Sequence, residues 1–165
     1  MPHPVLSNLR YWLLAAAVII ADQIGKYAVL KNFDFAERLA VLPGFFDLTL
    51  VYNTGAAFSF LADAGGWQKY FFLALAVVIS IWLARAIIRR EFGGCGRWGA
   101  AMVIGGAYGN VIDRLLHGHV VDFLLFYWRG WHYPAFNIAD SFICIGAALL
   151  IWDGCKNKET ETAKP

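Results

Sequence analysis

Hydrophobic positions along the chain form four long stretches, separated by segments that carry more polar residues. The stretches cover residues from about 11 to 30, 67 to 88, 98 to 116 and 135 to 152. A helix of about 20 apolar residues is long enough to cross the hydrocarbon core of a bilayer. The pattern therefore predicts a single integral membrane domain, residues 1–165, with four transmembrane helices and a polar, mobile tail over residues 156–165.

A second pattern lies between the first two stretches. Aromatic and aliphatic residues occupy alternate positions from Phe46 to Tyr52, after the turn signal Pro43-Gly44. Alternation with a period of two among β-forming residues is typical of a half-buried strand. We expect a short strand or hairpin within about residues 39–60, lying at the membrane surface.

Composition agrees with a membrane protein. Hydrophobic residues make up 59% of the 165 positions and charged residues only 16%. A soluble domain carries about 25% charged residues, which it needs to cover its surface. A soluble enzyme is therefore excluded, as is a mostly disordered chain. With three cysteines and a net charge of +2, a disulfide scaffold and a nucleic-acid-binding protein are excluded too.

The basic residues are distributed unevenly between the connecting segments. The short link between the second and third stretches carries Arg85, Arg89, Arg90 and Arg97, whereas the other two loops are longer and hold few cations. Cytoplasmic loops of membrane proteins are enriched in Lys and Arg. This asymmetry predicts that the Arg-rich link and both termini are cytoplasmic and that the two longer loops face outward.

Several polar residues interrupt the predicted spans. A helix rises about 1.5 Å per residue, so counting from the end where each span enters the bilayer places all of them in one layer near the outer face. Such residues are costly in a membrane and are by default functional or paired with one another. They are Asp22 and Lys26 in the first span, Asn110, Asp113 and Arg114 in the third, and Asn137 and Asp140 in the fourth.

The carboxylates in and beside this layer differ in their neighbours. Asp22 precedes Lys26 by four residues, the favourable order for an ion pair on a helix, so this pair is interpreted as structural. Asp122 and Asp140 have no Lys or Arg within helical reach, and His119 is the only basic candidate near Asp122. Brought together, two such carboxylates share a proton, and at least one has a raised pKa.

A proton-sharing pair of carboxylates is what aspartic proteolysis requires. One ionised carboxylate activates a water molecule as general base, and the protonated one polarises the scissile carbonyl. A bland alternative is that each aspartate caps a helix or meets a polar neighbour, since Asn137 and Asp140 are both good N-cap residues.

Three other functions compete with proteolysis. A proton-coupled transporter could use the same carboxylates, but its site is expected near the midplane of the bilayer. A scaffold without catalysis leaves the cation-free pair unexplained. His117 and His119 are a weak indication of zinc, because no further ligands accompany them. We therefore predict neither a metal nor a cofactor.

Five segments resemble the bacterial lipoprotein signal peptidase, or type II signal peptidase, family. They occur in the family's order across nearly the whole chain and comprise Asp22–Lys26, Asn53–Ser59, Gly105–Arg114, Val120–Phe123 and Phe136–Ser141. The resemblance implies an all-α membrane protein with four transmembrane helices, a small periplasmic β-cradle and a short periplasmic helix. It implies an enzyme of the bacterial inner membrane that cuts diacylglyceryl-modified prolipoproteins just before the lipidated cysteine.

The same resemblance assigns roles to individual residues. It implies that Asp122 and Asp140 are the catalytic dyad, and that Asp22 and Lys26 match the family's first-span pair. Five residues are implied to support the site or bind substrate, namely Asn53, Gly55, Asn110, Arg114 and Asn137. The implied partners are prolipoprotein substrates and membrane lipid, with inhibition by globomycin-type compounds. Nothing in the sequence demands more than a monomer.

A β-surface beside the site could hold an extended substrate by main-chain hydrogen bonds. We therefore hypothesise that the segment from Asn53 to Ser59 helps to bind substrate.

Overall fold

The computed structural model describes residues 8–55 and 66–162. Within these residues the chain forms four long helices and a small sheet. The helices are α1 (Leu9–Asn32), α2 (Gln68–Arg89), α3 (Gly94–Leu116) and α4 (Ile138–Thr162). The strands are β1 (Arg38–Leu42), β2 (Phe46–Asn53), β3 (Val120–Trp128) and β4 (Trp131–His132).

Three of the four helices have the length and hydropathy needed to cross a membrane. Among the described residues they are α1, α2 and the part of α4 from Ile138 to Lys156. The helix predicted as the third span, α3, is 23 residues long but does not reach that hydropathy. The physical reason is its position, because α3 packs against each of the other three helices. Interfaces between membrane helices are enriched in small residues such as Gly and in polar residues, which lower the mean hydropathy of a helix.

Two boundaries differ from the prediction. The last helix begins at Ile138 rather than at about 135, because Phe136 forms an antiparallel bridge with Leu124 of β3. It then continues to Thr162. Residues 156–162 of the predicted tail are therefore helical.

The sheet is antiparallel with the strand order β1-β2-β3-β4. The hairpin of β1 and β2 confirms the strand prediction for the segment after residue 39. No strand was predicted at β3. No short helix occurs among the described residues, and residues 56–65 lie outside them.

The sheet packs against one end of α1. Val29 of α1, Leu50 of β2 and Val121 and Phe123 of β3 form a buried cluster there. A separate cluster towards the opposite end joins α1, α2 and α3. The sheet is thereby fixed beside the end of the bundle at which the polar residues lie.

Glycines of α3 allow its neighbours to approach closely. A Cβ atom on Gly105 would lie 2.7 Å from the carbonyl oxygen of Ala15 in α1. A Cβ atom on Gly106 would collide with the carbonyl oxygen of Ala139 in α4. Gly105 and Gly106 are therefore positions of close helix packing, as is common in membrane helices.

Candidate active site

The predicted site residues are brought together by β2, β3, α3 and the start of α4. Asp122 lies in β3 opposite Val51 of β2, and Asn53 ends β2. Phe136 pairs with Leu124 of β3, which places the following residue, Asn137, beside the same strand. Four members of the site are almost completely buried, with exposed fractions of 2% for Asp122, 0% for Asn137, 7% for Asn110 and 9% for Arg114.

The carboxylate of Asp122 accepts hydrogen bonds from two side-chain amides. Asn53 Nδ2 donates to Asp122 Oδ2 at 3.0 Å. Asn137 Nδ2 donates to Asp122 Oδ1 at 2.7 Å. Both oxygens are therefore held by neutral donors, which fix the orientation of the carboxyl group without supplying a positive charge.

Asp140 is held by Asn137 and by Asn110. Asn110 Nδ2 donates to Asp140 Oδ1 at 2.8 Å. The backbone N–H of Asn137 donates to Asp140 Oδ2 at 3.3 Å, and the N–H of Asp140 donates to Asn137 Oδ1 at 2.8 Å. This reciprocal pair is a capping box at the start of α4. Asn137 is thus the N-cap, and Asp140 is its partner three residues later. This capping role coexists with a position in the site.

Asn137 connects the two carboxylates. Its side-chain nitrogen contacts Asp122, while its backbone nitrogen and side-chain oxygen contact Asp140. No Lys or Arg of the described chain forms an ion pair with either carboxylate. This absence of ion pairs agrees with the prediction that Asp122 and Asp140 form a pair to which no cation is directly bound.

Burial, and after it the charge of Asp140, raises the pKa of Asp122 to about 7. The amides of Asn53 and Asn137 act in the opposite direction but do not offset the burial. A carboxyl group with this pKa can hold or release a proton near neutral pH. Two neighbouring carboxyl groups of this kind can therefore exist with one ionised and one protonated.

Behind the pair lies a buried cluster around Lys26. Its Nζ contacts Asp22 Oδ2 at 2.7 Å, as the spacing in α1 predicted. It also contacts Asp113 Oδ2 at 2.8 Å and donates to Asn110 Oδ1 at 3.0 Å. The last two contacts join separate helices, and no local spacing in the sequence could have revealed them.

The two carboxylates of this cluster also bind backbone. Asp22 Oδ1 accepts the N–H of Ala139 at 2.9 Å. Asp113 Oδ2 accepts the N–H of Val121 at 3.0 Å. Gln23, which sequence reasoning missed, donates to Asp113 Oδ1 at 2.9 Å and to the carbonyl of Gly109 at 3.2 Å.

Arg114 binds the loop that follows β2. Its Nη2 donates to the carbonyl oxygen of Gly55 at 2.8 Å, and the N–H of Gly55 donates to Asn53 Oδ1 at 2.9 Å. Arg114 thereby fixes the turn next to the residue that binds Asp122. The remainder of the predicted substrate-binding segment, residues 56–59, lies outside the described residues.

The histidines lie beside this arrangement. The ring of His119 lies 4.3 Å from that of Tyr52 and 5.9 Å from that of His117. Burial and the neighbouring His117 lower the pKa of His119. In the described part of the chain, no three side chains of His, Cys, Asp or Glu are grouped so that they could hold a metal ion.

The sequence profile of the signal peptidase (SPase) II family matches residues 14–156. The chain belongs to the signal peptidase II family. A protein of Neisseria meningitidis named lipoprotein signal peptidase is 65% identical over 164 residues, covering 99% of both chains. A Chromobacterium violaceum protein of the same name is 55% identical over 148 residues, covering 89% of this chain and 91% of the relative. Membership in the signal peptidase II family implies a protease.

Solved structures agree with the fold. One, described as a bacterial membrane enzyme, superposes with a TM-score of 0.84 at 32% identity and covers 94% of this chain and 93% of its own. A second with the same description has a TM-score of 0.75 at 34% identity, covering 86% and 90%. The helical bundle with its small sheet is therefore the fold of a known membrane enzyme.

Proposed function

We propose that the chain is an intramembrane aspartic endopeptidase that removes the signal peptide from diacylglyceryl-modified prolipoproteins, cutting just before the lipidated cysteine. The observation that carries the mechanism is the pair Asp122 and Asp140, held together by Asn137. The substrate class rests on the names of the relatives, which are lipoprotein signal peptidases.

The mechanism uses one proton shared by the two carboxyl groups. Asp122 holds the proton at rest, consistent with its pKa of about 7. Asp140 is the ionised partner, because the first turn of a helix favours negative charge. Asp140 takes a proton from a water molecule as its oxygen attacks the scissile carbonyl carbon, and Asp122 donates its proton to the carbonyl oxygen.

The tetrahedral intermediate then collapses. The bond from carbon to nitrogen breaks, Asp140 gives its proton to the leaving amine, and a hydroxyl of the intermediate returns a proton to Asp122. The products are the free signal peptide, which ends in a new carboxyl group, and the lipoprotein, which begins with the amino group of its lipidated cysteine. Both carboxyl groups return to their starting protonation states.

The proposed placement has four helices in the bacterial inner membrane, so that α3 crosses the membrane together with α1, α2 and α4. Both termini and the Arg-rich link between α2 and α3 are cytoplasmic, and the sheet and the site lie near the periplasmic face. The apolar helices and the positions of the arginines support this arrangement. A lipid-modified substrate stays in the bilayer, so its protease must act at membrane depth.

We propose that the enzyme acts as a monomer and that globomycin-type inhibitors occupy the same site.

The substrate class can be tested with a matched pair of prolipoproteins. The purified protein in detergent is given one prolipoprotein with a diacylglyceryl cysteine and the same prolipoprotein without the lipid. We expect cleavage of the lipidated form alone, with mass spectrometry finding the lipidated cysteine at the new amino terminus. Equal cleavage of both forms, or a cut elsewhere, would contradict the proposal.

A further inference from the structure

Lys26 is 2% exposed and lies in the apolar helix α1. An ammonium group has three N–H donors. Its Nζ has three partners, Asp22, Asp113 and Asn110, at 2.7, 2.8 and 3.0 Å. All three donors are therefore in use, and none remains for a substrate or a water molecule.

Each partner of Lys26 contacts the site at a particular point. Asp22 accepts the N–H of Ala139, the residue immediately before Asp140. Asp113 accepts the N–H of Val121, the residue immediately before Asp122. One ammonium group is thus linked, through two carboxylates, to the backbone beside each member of the pair.

The third partner orients an amide. Asn110 Oδ1 faces Lys26, so its Nδ2 is directed to Asp140, to which it donates at 2.8 Å. If the amide turned over, it would present its oxygen to the carboxylate of Asp140 and its N–H groups to the ammonium, losing both hydrogen bonds. Asn110 Oδ1 also accepts a hydrogen bond from Asn137 Nδ2 at 3.2 Å.

We propose that Lys26 is a positioning residue that sets the separation and orientation of Asp122 and Asp140. This inference rests on the proposed function of the pair and deepens it. The ammonium joins α1 to α3 and, through Asp22 and Asp113, to the start of α4 and to β3. A displacement of the two carboxyl groups by about 1 Å is enough to lower a catalytic rate about a hundredfold.

A purely structural role must be distinguished from positioning. A structural ion pair requires only a cation that balances the buried charges of Asp22 and Asp113. Positioning requires the compact ammonium, because the planar guanidinium of an arginine presents its donors in a different geometry. Lys26→Arg keeps the charge and changes the geometry, so it separates the two roles. Lys26→Gln is the second variant, and Lys31→Met, which removes an exposed lysine of the same helix, is the control.

The rates are measured per folded molecule on the lipidated prolipoprotein. We expect Lys26→Arg and Lys26→Gln to lower kcat about a hundredfold, with KM changed less than about twofold and Lys31→Met like wild type. Amide hydrogen exchange at Ala139 and Val121 should accelerate in both Lys26 variants. An unchanged kcat per folded molecule in Lys26→Arg would overturn the inference, even if fewer molecules fold.

Hydrogen exchange also separates this inference from the proposed function. If wild type fails to cleave the lipidated substrate, the proposed function is wrong, but the exchange rates still report on Lys26. Unchanged exchange at both amides in Lys26→Arg and Lys26→Gln would show that Lys26 does not hold the backbone beside the pair, and the inference would be rejected.

Discussion

Asn137 shows how a single residue can serve structure and chemistry together. Its side-chain oxygen caps α4, its backbone N–H binds Asp140, and its side-chain nitrogen binds Asp122. The sequence indicated the structural role, because Asn is a good N-cap residue. It indicated the chemical role separately, because Asp122 and Asp140 lack nearby cations. That one asparagine binds both carboxylates follows from the pairing of Phe136 with β3, which no local pattern reveals.

The pKa of Asp122 leads to a prediction for the pH dependence of cleavage. Its pKa is raised from 3.8 to about 7, chiefly by burial. Catalysis needs the protonated form of Asp122, so kcat/KM should fall as the pH rises above about 7. Together with loss of the ionised partner at low pH, this gives a bell-shaped profile. A pH profile of kcat/KM on the lipidated substrate checks it, and a rate that stays constant from pH 6 to 9 would contradict the assignment.

The same raised pKa has a consequence for stability. Between pH values of about 4 and 7 the folded protein binds more protons at Asp122 than the unfolded chain does. The contribution of this residue to stability is therefore fully present at low pH and is lost as the pH rises through about 7. The buried carboxylate lowers the stability of the folded protein at neutral pH, as is common where a functional site requires a strained or buried polar group.

At the scale of elements, the sequence predicted the helices better than the strands. The four apolar stretches located α1, α2, α3 and α4, and the alternation from Phe46 to Tyr52 located β2. The strand β3, which is apolar except for Asp122, shows no alternation because its first residues, from Val120 to Phe123, are all buried. A fully buried strand cannot be separated from other apolar segments by periodicity alone.

The close approach of α3 to α4 should be sensitive to one methyl group. We expect Gly106→Ala to lower stability by about 1–3 kcal/mol, the usual cost of overpacking, and to slow cleavage, because the added Cβ atom meets the backbone of Ala139 beside Asp140. Thermal unfolding and the cleavage rate measure both effects. The control is Gly94→Ala in the same helix, where a Cβ atom meets nothing within 4 Å. Equal unfolding temperatures and equal cleavage rates of the two variants would show that the contact between Gly106 and Ala139 is unimportant.

At the scale of the whole molecule, the polar residues that interrupt the predicted spans converge on one end of the bundle. The sequence predicted one polar layer, from depth counted along each helix. It could not predict which atoms meet, since Lys26 lies on α1 whereas Asn110 and Asp113 lie on α3, and their contacts depend on how the two helices pack. The packing of α3 against the other three helices likewise explains why it falls below the hydropathy of a candidate membrane span.

The proposed topology predicts which cysteines can be labelled from outside. Cys155 is exposed near the end of α4, on the proposed cytoplasmic side. Asp34 is exposed between α1 and β1, on the proposed periplasmic side. In spheroplasts, a membrane-impermeant maleimide should label an Asp34→Cys variant but should label Cys155 only after the membrane is opened. The reverse labelling pattern would show that the protein has the opposite orientation in the membrane.

The most direct measurement of the central claim is the cleavage rate of lipidated prolipoprotein by wild type, Asp122→Asn and Asp140→Asn. Asp47→Asn is the matched control, because Asp47 is also a buried carboxylate of the sheet but binds Tyr127, away from the pair. We predict that each of the first two variants is folded and inactive while Asp47→Asn cleaves like wild type. Cleavage at the wild-type rate by either Asp122→Asn or Asp140→Asn would contradict the account.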